Sequence, residues 1–501
     1  MTLLETLLQQ GRPPTSLELF ELMVAQIEAE DPSLAEMLWA CAIPVAFNAT
    51  LIGVLRDVKG HDDDKKAVQA ENERLLTALT NLSFVLPRDD GDYHYHDETR
   101  DAVLQVWQTE PRQADYQQYV DRLVAYYTTQ GEQAYWADED KTALRHFSRA
   151  LTLQPDNGLL YSWRGHTQTK LGQYVAAITD LEQAVQHDAA TTDTYFSLGV
   201  AHYYQQEYPA AIEAWTAYLD LNPDDATVYY NRGCAYDDLG QYEQAIADYA
   251  KAIRLNPDYA DAYNNRGIAY RKHGQQKQAI ADYDEAIRLK PDDATVYYNR
   301  GVAYSNLGQY EQAIADYTEA IRLNPDYATA YTNRGLVYHY QGDYEQAIAN
   351  YDEAIRLKPD YADAYNNRGN SYSNLGQHEQ AIADYTEAIR LKPDDADAYT
   401  GRGVAYRYMG NINQAIADFD EAIRLKPDDA LAHYNKACSY SIQGQVAPAV
   451  RSLRQALELD QANGSTENRD DAQTDSDFDP IRTEPEFVAL LEQFGDDANM
   501  R

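Results

Sequence analysis

The sequence predicts an all-α fold, a solenoid of stacked helix-turn-helix units, and two observations lead to that prediction. First, prolines recur every 34 residues over most of the chain. Second, each period contains two apolar runs at helical spacing, as at Tyr229, Gly233 and Tyr236 and again at Tyr249 and Ile253. A helical hairpin with one apolar side cannot bury that side alone, so neighbouring hairpins must stack. The prolines on this spacing are Pro155, Pro223, Pro257, Pro291, Pro325, Pro359, Pro393 and Pro427.

The repeat divides the 501-residue chain into three regions. Ten units of 34 residues cover 124–463, with 226–463 regular and 124–225 divergent. Residues 1–123 precede the units, and residues 464–501 follow them. Each unit is named by its first residue, and positions are counted from that residue. The units begin at residues 124, 158, 192, 226, 260, 294, 328, 362, 396 and 430.

The ends of the helices within a unit also carry signals. Gly240 is expected to end the first helix of unit 226, and Pro257 is expected to stop the second. An aspartate directly after each proline is expected to cap the first helix of the next unit. These aspartates are Asp224, Asp258, Asp292, Asp326, Asp360, Asp394 and Asp428.

A charged pair repeats inside the units, with arginine at position 7 and aspartate at position 23. The arginine lies on the side of the packing aromatics, where an unpaired charge is costly, so we expect a salt bridge within each hairpin. Unit 192 has Leu198 and Ala214 at these positions, and unit 328 has Arg334 with the neutral Asn350. The alternative is two unrelated solvated charges. The predicted pairs are Arg164–Asp180, Arg232–Asp248, Arg266–Asp282, Arg300–Asp316, Arg368–Asp384 and Arg402–Asp418.

Composition argues against several classes of partner. Lys and Arg number 42 and Asp and Glu number 81, giving a net charge of −39, which disfavours nucleic acid and anionic membranes. Cys41, Cys234 and Cys438 are too few and too far apart for a disulfide framework, and no basic-then-apolar leader is visible. We therefore expect a cytoplasmic protein. Most of the 43 tyrosines are expected to pack helix against helix.

The repeat residues resemble the tetratricopeptide repeat (TPR). In unit 226 the resemblance rests on Gly233, Ala245 and Ala252, on an aromatic set and on a closing proline. It is specific from 226 to 463 and poorest in unit 124. The resemblance implies a right-handed superhelix, in which first helices line a concave groove and second helices lie behind. The aromatic set of unit 226 is Tyr229, Tyr236, Tyr242 and Tyr249, and its proline is Pro257.

One stripe of the first helices varies between otherwise similar units and is the predicted ligand surface. Beside it runs a row of asparagines, which could hold an extended peptide backbone because an amide both donates and accepts hydrogen bonds. The row resembles the asparagine ladder of peptide-binding TPR superhelices. The alternative is that these asparagines only cap or solvate a helix surface. The candidate groove residues are Asn231, Asn265, Asn299, Asn333, Asn367, Asn435, Ile268, Arg271, Lys272, Val302, Leu336, Tyr340 and Tyr408.

Cations on the stripe are few. The main ones are Arg271, Lys272 and Arg407. TPR co-chaperones that bind acidic C-termini use several Lys and Arg residues as a carboxylate clamp, and three scattered cations do not form one. We therefore do not expect this chain to bind chaperone tails.

The region before the repeats reads as mixed helical with one short strand pair. The apolar stretch 34–58 is long enough to suggest a membrane helix, but Pro44 and Asn48 interrupt it, so two packed helices are expected. A helix at 71–82, a strand at 83–86, a turn and a strand at 93–96 follow, and then a helix at 97–107.

This order resembles the winged-helix module of signal-transduction (STAND/NB-ARC-type) ATPases. Tyr95, His96 and Asp97 would end the wing, where the family histidine touches a nucleotide. The chain has no GxxxxGK[ST] loop, which leaves that role open. His94 and His96 form an unfavourable metal pair, because they alternate on a strand without a nearby cysteine.

Residues 464–501 are expected to be an acidic linker and a capping helix. A helix at 486–494 would present Phe487, Leu490, Leu491 and Phe494 on one face, as a terminal cap of a stack requires.

No catalytic constellation appears in the sequence, and neither a cofactor nor a metal is expected. The predicted function is a non-enzymatic scaffold that binds extended segments of partner proteins. The alternative is a regulatory sensor subunit of a signalling ATPase or effector system, docking through residues 1–123. The identity of the partner, the oligomeric state and the pathway are left open.

Overall fold

The computed structural model describes residues 20, 23–25, 27–28, 30–44, 47–56, 65–81, 85–87, 93–95, 100–101, 103–105 and 113–496. The chain divides into two compact parts, Met1–Leu255 and Asn256–Arg501. Helices dominate both parts, as the sequence predicts. Among the described residues, no helix is long and apolar enough to cross a membrane.

Ten consecutive pairs of antiparallel helices follow the 34-residue period. The first helix of unit 124 begins at Gln113, eleven residues before the unit itself. The pairs of the first part are Gln113–Trp136 with Asp140–Leu153, Gly158–Lys170 with Tyr174–Gln186, Thr192–Tyr204 with Tyr208–Leu221, and Ala226–Asp238 with Tyr242–Leu255. The pairs of the second part are Ala260–Lys272 with Gln276–Leu289, Ala294–Asn306 with Tyr310–Leu323, Ala328–Tyr340 with Tyr344–Leu357, Ala362–Asn374 with His378–Leu391, Ala396–Tyr408 with Ile412–Leu425, and Ala430–Ile442 with Val446–Asn463.

The apolar stretch near the N-terminus forms two helices, Pro32–Ala40 and Ala49–Arg56, which confirms the prediction of a break near Pro44. A third helix covers Lys65–Thr80, beginning six residues earlier than expected. Strands Val85–Pro87 and Tyr93–Tyr95 pair antiparallel, with Leu86 opposite His94. The predicted helix at 97–107 is helical at 100–101 and 103–105, whereas His96 and Asp97 lie outside the described residues.

Tyrosine at position 24 fills the space between the two helices of a hairpin. In unit 294, Tyr317 is 1% exposed and its ring lies against Gly301 at position 8. A Cβ atom added to Gly301 would meet Tyr317 Cε1 at 2.8 Å, so glycine is required there by close approach. These contacts confirm that tyrosines pack helix against helix. The same pairing recurs at Gly233–Tyr249, Gly267–Tyr283, Gly335–Tyr351 and Gly369–Tyr385.

The helix caps differ from the prediction by one residue. Asp225, not Asp224, accepts hydrogen bonds from Thr227 N and Val228 N, because the residue after the proline belongs to the preceding turn. Asp293, Asp395 and Asp429 cap other units in the same way. Units with tyrosine at this place, including Tyr259, have no side-chain cap. The prediction that the aspartate directly after each proline forms the cap was therefore wrong. Gly240 does follow the first helix in a left-handed conformation, at φ +72°.

The predicted salt bridges are present in all six units named for them. In unit 396, Arg402 Nε and Nη2 reach the two carboxylate oxygens of Asp418 at 2.8 Å each, and the Arg402 side chain is 16% exposed. Arg334 donates to Asn350 Oδ1 at 2.8 Å, as the neutral substitution in unit 328 suggests. The pairs are therefore structural links inside the hairpins.

Four of these arginines, Arg232, Arg300, Arg368 and Arg402, also connect consecutive units, which the sequence did not predict. Arg300 Nη1 reaches Asp284 Oδ1 of the preceding unit at 2.5 Å, and Arg402 Nη1 reaches Thr386 Oγ1 at 3.2 Å. Each acceptor stands at position 25, on the second helix of the preceding unit. One guanidinium thus serves both the hairpin and the stack.

The C-terminal region packs onto the last unit. The capping helix, Pro485–Asp496, buries Phe487 and Leu490 against unit 430 and half-buries Leu491 and Phe494, as predicted. The expected linker is not irregular, since Glu467–Thr474 is a helix and Ser476–Ile481 is a 3-10 helix. Phe478 in the second of these is fully buried, which explains why this acidic stretch folds.

Candidate functional site

The asparagine row lies at position 6 on the first helices, but its members differ in burial. Two of them, Asn299 and Asn435, are 8% and 6% exposed, which leaves little of either amide for a ligand. The half-buried members are Asn231 in the first compact part and Asn265, Asn333 and Asn367 in the second.

Several of these amides already make hydrogen bonds within the protein. Asn299 Nδ2 donates to Asn264 Oδ1 at 3.0 Å, and Asn435 Nδ2 donates to a carbonyl of its own helix. Asn333 Nδ2 donates to the Tyr298 hydroxyl at 3.0 Å. Asn265 Oδ1 accepts from Asn264 Nδ2 at 3.2 Å, so the row is partly a structural ladder within and between units.

The apolar groove candidates all stand at position 9 of the first helices. Ile268 and Val302 are half-buried and pack against the interior of the second part, and Leu336 is also half-buried. They can offer only part of their surface to a ligand.

The two candidate tyrosines keep most of their surface in solvent. Tyr340 is 60% exposed and stacks on Tyr310 of the preceding unit, with ring centroids 6.3 Å apart. Tyr408 is 63% exposed and stacks on His378 at 5.0 Å. Each ring is held in place by the neighbouring unit, and Tyr408 also has the Arg407 guanidinium over it, with Arg407 Cζ 4.9 Å from the ring centroid. Both are therefore preorganised aromatic groups, of which Tyr340 is the more open.

The three cations of the stripe differ in exposure and in their partners. Arg271 is half-buried, and its Nε has no hydrogen-bond partner among the described residues. Lys272 is exposed. Arg407, the third cation of the stripe, pairs with Asp477 of the C-terminal region, so it is not available in the way the sequence suggested.

A cavity of about 480 Å³ lies in the first compact part, among the first helices of units 124, 158 and 192. Three of its large apolar side chains are exposed: Trp136 at 75%, Leu159 at 58% and Tyr204 at 60%. Trp163 contacts Trp136 and Tyr135 edge-on, with centroids 6.3 Å and 5.4 Å apart. An exposed apolar concavity of this kind is typical of a binding surface.

Polar groups line the floor and the rim of this cavity. His166 is 8% exposed and bonded on both ring nitrogens, to Ser162 Oγ at 3.0 Å and Ser197 Oγ at 2.9 Å. Burial lowers the pKa of His166 to about 4, so the ring is neutral at pH 7. At the rim, the Lys170 ammonium lies 4.5 Å from the Tyr135 ring centroid and pairs with Asp138.

Sequence reasoning missed this cavity. Its walls include positions 6, 9, 12 and 13, which are the positions of the predicted asparagine row and stripe, and also positions 2 and 5, all in the divergent units. The signal was available in the aromatic residues at those positions: Trp136, Trp163 and Phe196.

Among the described residues, one group of three metal-ligand types is close enough to share an ion: Cys438, Asp475 and Asp477. Both carboxylates already have partners, because Tyr434 donates to Asp475 and Arg407 pairs with Asp477. The group is therefore explained without a metal.

Stacked helical pairs with a varied first-helix face define a helical-repeat protein. Family models agree: those described as TPR repeat match residues 201–240, 235–274, 267–308 and 337–376. Models described as tetratricopeptide repeat match 294–327, 316–349, 362–395, 396–429 and 430–463. Together they span 201–463 without a gap, more than half of the chain. The chain belongs to the tetratricopeptide repeat family.

Curated relatives match over shorter stretches. The chain is 28% identical over 175 residues to the Hsp70-Hsp90 organizing protein of Triticum aestivum, covering 32% of this chain and 29% of that protein. It is 31% identical over 98 residues to the small glutamine-rich tetratricopeptide repeat-containing protein 2 of Saccharomyces cerevisiae, covering 20% and 28%. The chain thus spans less than a third of the length of these relatives.

Solved structures of TPR proteins are also similar to parts of the chain. The structure of YrrB, described as a TPR protein with an unusual peptide-binding site, is 27% identical. It covers 37% of this chain and 96% of its own, with a TM-score of 0.33.

Proposed function

We propose that this chain is a non-enzymatic scaffold that binds extended segments of partner proteins along the first-helix face. The observation that carries the proposal is the cavity at units 124 to 192, where Trp136, Leu159 and Tyr204 are exposed together. Large apolar side chains on a concave surface gain about 25 cal/mol for each Å² that a partner covers. A side chain of the bound segment would enter this cavity.

The second compact part has a proposed surface of its own, formed by its members of the asparagine row and by the exposed tyrosines. Asn265 and Asn333, which are half-buried, would bond the backbone of the segment, and Tyr340 and Tyr408 would contact its side chains. Asn299 and Asn435 would act mainly by holding the helices in place, because they are buried.

The relatives are consistent with an adaptor role, since the name of the wheat protein describes the organisation of two other proteins. Absence of enzymatic activity and a cytoplasmic location belong to the same proposal. Both remain predictions from the sequence.

Peptide selection tests the proposal without a known partner. A random peptide library is panned on the intact chain, and the enriched peptides are measured again on an Asn265→Ala/Asn333→Ala variant. The matched control is Gln278→Ala/Gln312→Ala, which removes two exposed amides from second helices. Groove binding predicts about a tenfold loss for the first variant and less than twofold for the control. Equal affinities would contradict it.

The second candidate is a sensor subunit that docks through residues 1–123. A specific observation favours it: the first repeat helix is bonded to the N-terminal helices, Tyr119 to Glu36 and Arg122 to the Leu55 carbonyl. A partner on the winged-helix-like module would therefore contact a region continuous with the repeats. Hydrogen exchange on the intact chain with and without a partner separates the two candidate functions. Docking on the N-terminal region predicts slower exchange within 32–95, whereas groove binding predicts slower exchange within the first helices of the repeats.

A further inference from the structure

The C-terminal region places one of its own acidic segments on the first-helix face of unit 430. The Tyr434 hydroxyl donates to Asp475 Oδ2 at 2.9 Å. Phe478 is fully buried, with its ring centroid 5.7 Å from that of Tyr434. Cys438 Sγ lies 3.8 Å from the same Asp475 oxygen.

The segment also reaches the preceding unit. Asp477 pairs with Arg407 at position 12 of unit 396, and the Arg407 side chain is 10% exposed. The segment Asp475–Phe478, with the sequence acid–serine–acid–phenylalanine, is thus bound by three side chains. They are an arginine at position 12 of one unit, and a tyrosine at position 5 and a small apolar residue at position 9 of the next unit. The chain itself therefore shows which chemistry this face accepts.

The same three positions carry the same chemistry four units earlier. Arg271 stands at position 12 of unit 260, and Tyr298 and Val302 stand at positions 5 and 9 of unit 294. Between units 260 and 430, arginine at position 12 followed by tyrosine at position 5 occurs at these two places and at no other. The intervening residues are Ser305, His339 and Ser373 at position 12 and Thr332, Asn366 and Thr400 at position 5.

The local structure suits an incoming carboxylate. Tyr298 accepts a hydrogen bond from Asn333 Nδ2 at 3.0 Å, which leaves its own hydroxyl proton to donate. Arg271 Nε is buried without a hydrogen-bond partner among the described residues, although the neighbouring Arg266 and Arg300 each bind an aspartate through two hydrogen bonds. Arg407 Nε is likewise without a hydrogen-bond partner among the described residues, although that arginine pairs with Asp477 through Nη1, so Arg271 resembles it and can pair with a carboxylate in the same way.

We propose that Arg271, Tyr298 and Val302 form a docking site for an acidic segment of a partner protein with the pattern acid–any–acid–aromatic. The first carboxylate accepts from the Tyr298 hydroxyl, the second pairs with the Arg271 guanidinium, and the aromatic ring packs on Tyr298 and Val302. The inference rests on the proposed function, whose ligand it narrows to one class. The proposed site differs from one that recognises a free C-terminus, because the bound segment from which it is inferred, Asp475–Phe478, is internal to the chain.

A fluorescent peptide of residues 474–482 is the probe, titrated with the full-length chain and followed by anisotropy. We expect saturable binding that weakens at least tenfold in Arg271→Gln and about threefold in Tyr298→Phe. The matched control is Arg288→Gln, because Arg288 is an exposed arginine on a second helix whose salt bridge is with Glu285. It should change the Kd less than twofold. A peptide with Phe478→Ala should bind at least tenfold more weakly.

Two results would overturn the inference: absence of peptide binding, or binding that is lost in Arg407→Gln and retained in Arg271→Gln. The latter would mean that the peptide only exchanges with the chain's own segment. Thermal unfolding of each variant identifies any loss of fold, and Tyr298→Phe serves as the milder change if Arg271→Gln unfolds. A library peptide that binds through Trp136 tests the proposed function separately, because its affinity should fall in Trp136→Ala whatever the result for Arg271→Gln.

Discussion

Arg402 and Asp418 meet through two hydrogen bonds of 2.8 Å, and the third guanidinium nitrogen of Arg402 reaches Thr386 of the preceding unit. A single side chain therefore ties the two helices of a hairpin together and connects that hairpin to its neighbour. Because the pair is largely removed from solvent, its two charges depend on each other.

Removing one partner of this pair should destabilise the chain more than removing both. Asp418→Ala leaves Arg402 with neutral partners, the Thr386 hydroxyl and the rings of Tyr399 and Tyr406, so we expect a loss of about 3 kcal/mol in unfolding free energy. Arg402→Leu/Asp418→Ala removes the stranded charge and should lose less. Urea unfolding followed by circular dichroism measures both.

The equivalent pair of unit 294 should behave differently, because Arg300 also pairs with Asp284 and would not be left alone without Asp316. Asp316→Ala should therefore be milder than Asp418→Ala. Equal losses in the single and double variants of unit 396 would show that the pair is merely two solvated charges.

Gly301→Ala should destabilise unit 294 because its new methyl group would meet the Tyr317 ring at 2.8 Å. Overpacking of this kind costs about 1–3 kcal/mol. Tyr317→Leu creates space, so the double variant should lose less than the sum of the two single losses. Thermal unfolding of the three variants provides the comparison, and strict additivity would argue against the contact.

Acidification should weaken the first part through His166. Its folded pKa of about 4 lies below the usual 6.5, so its contribution to stability is complete above pH 6.5 and declines as the pH falls toward 4. Between pH 7 and about pH 5.2, which stays above the isoelectric point of 4.5, we expect a loss of roughly 1.5 kcal/mol.

The measurement is urea unfolding followed by tryptophan fluorescence, since Trp136 and Trp163 line the same cavity. His166→Gln cannot titrate at this position and should lose correspondingly less stability over the same pH range. An identical pH dependence in both proteins would place the titrating group elsewhere.

Phe478→Ala should loosen the C-terminal end of the stack. The buried ring contacts Tyr434 and Phe487, and its removal should cost about 3–5 kcal/mol locally. Hydrogen exchange should rise within 430–496 and remain unchanged within 260–391. A uniform rise over the whole second part would instead show that the stack unfolds as one unit.

The ion pairs and packing positions of the regular units could be predicted because near-identical units in the same chain show which residues change together. The joint loss of charge at Leu198 and Ala214 identified the ion pair, and its geometry follows the prediction. The caps were misplaced by one residue, because the sequence shows two adjacent aspartates, such as Asp224 and Asp225, without showing where the turn ends.

The cavity and the C-terminal segment could not be predicted in the same way. Trp136 and Trp163 belong to divergent units, where there is no near-identical unit for comparison. Asp475 and Asp477 stand in a strongly acidic stretch whose composition suggests a solvated linker. Their partners, Tyr434 and Arg407, are distant in sequence, and only the fold brings them together.

The affinity of one library-selected peptide for two double variants shows whether ligands bind along the first helices. Trp136→Ala/Leu159→Ala alters the exposed cavity wall on the proposed binding face, whereas Val175→Ala/Arg322→Ala alters exposed residues of second helices. Binding along the first helices predicts that Kd rises at least tenfold in the first variant and less than twofold in the second. Unchanged affinity in the first variant, or an equal loss in both, would contradict the central claim.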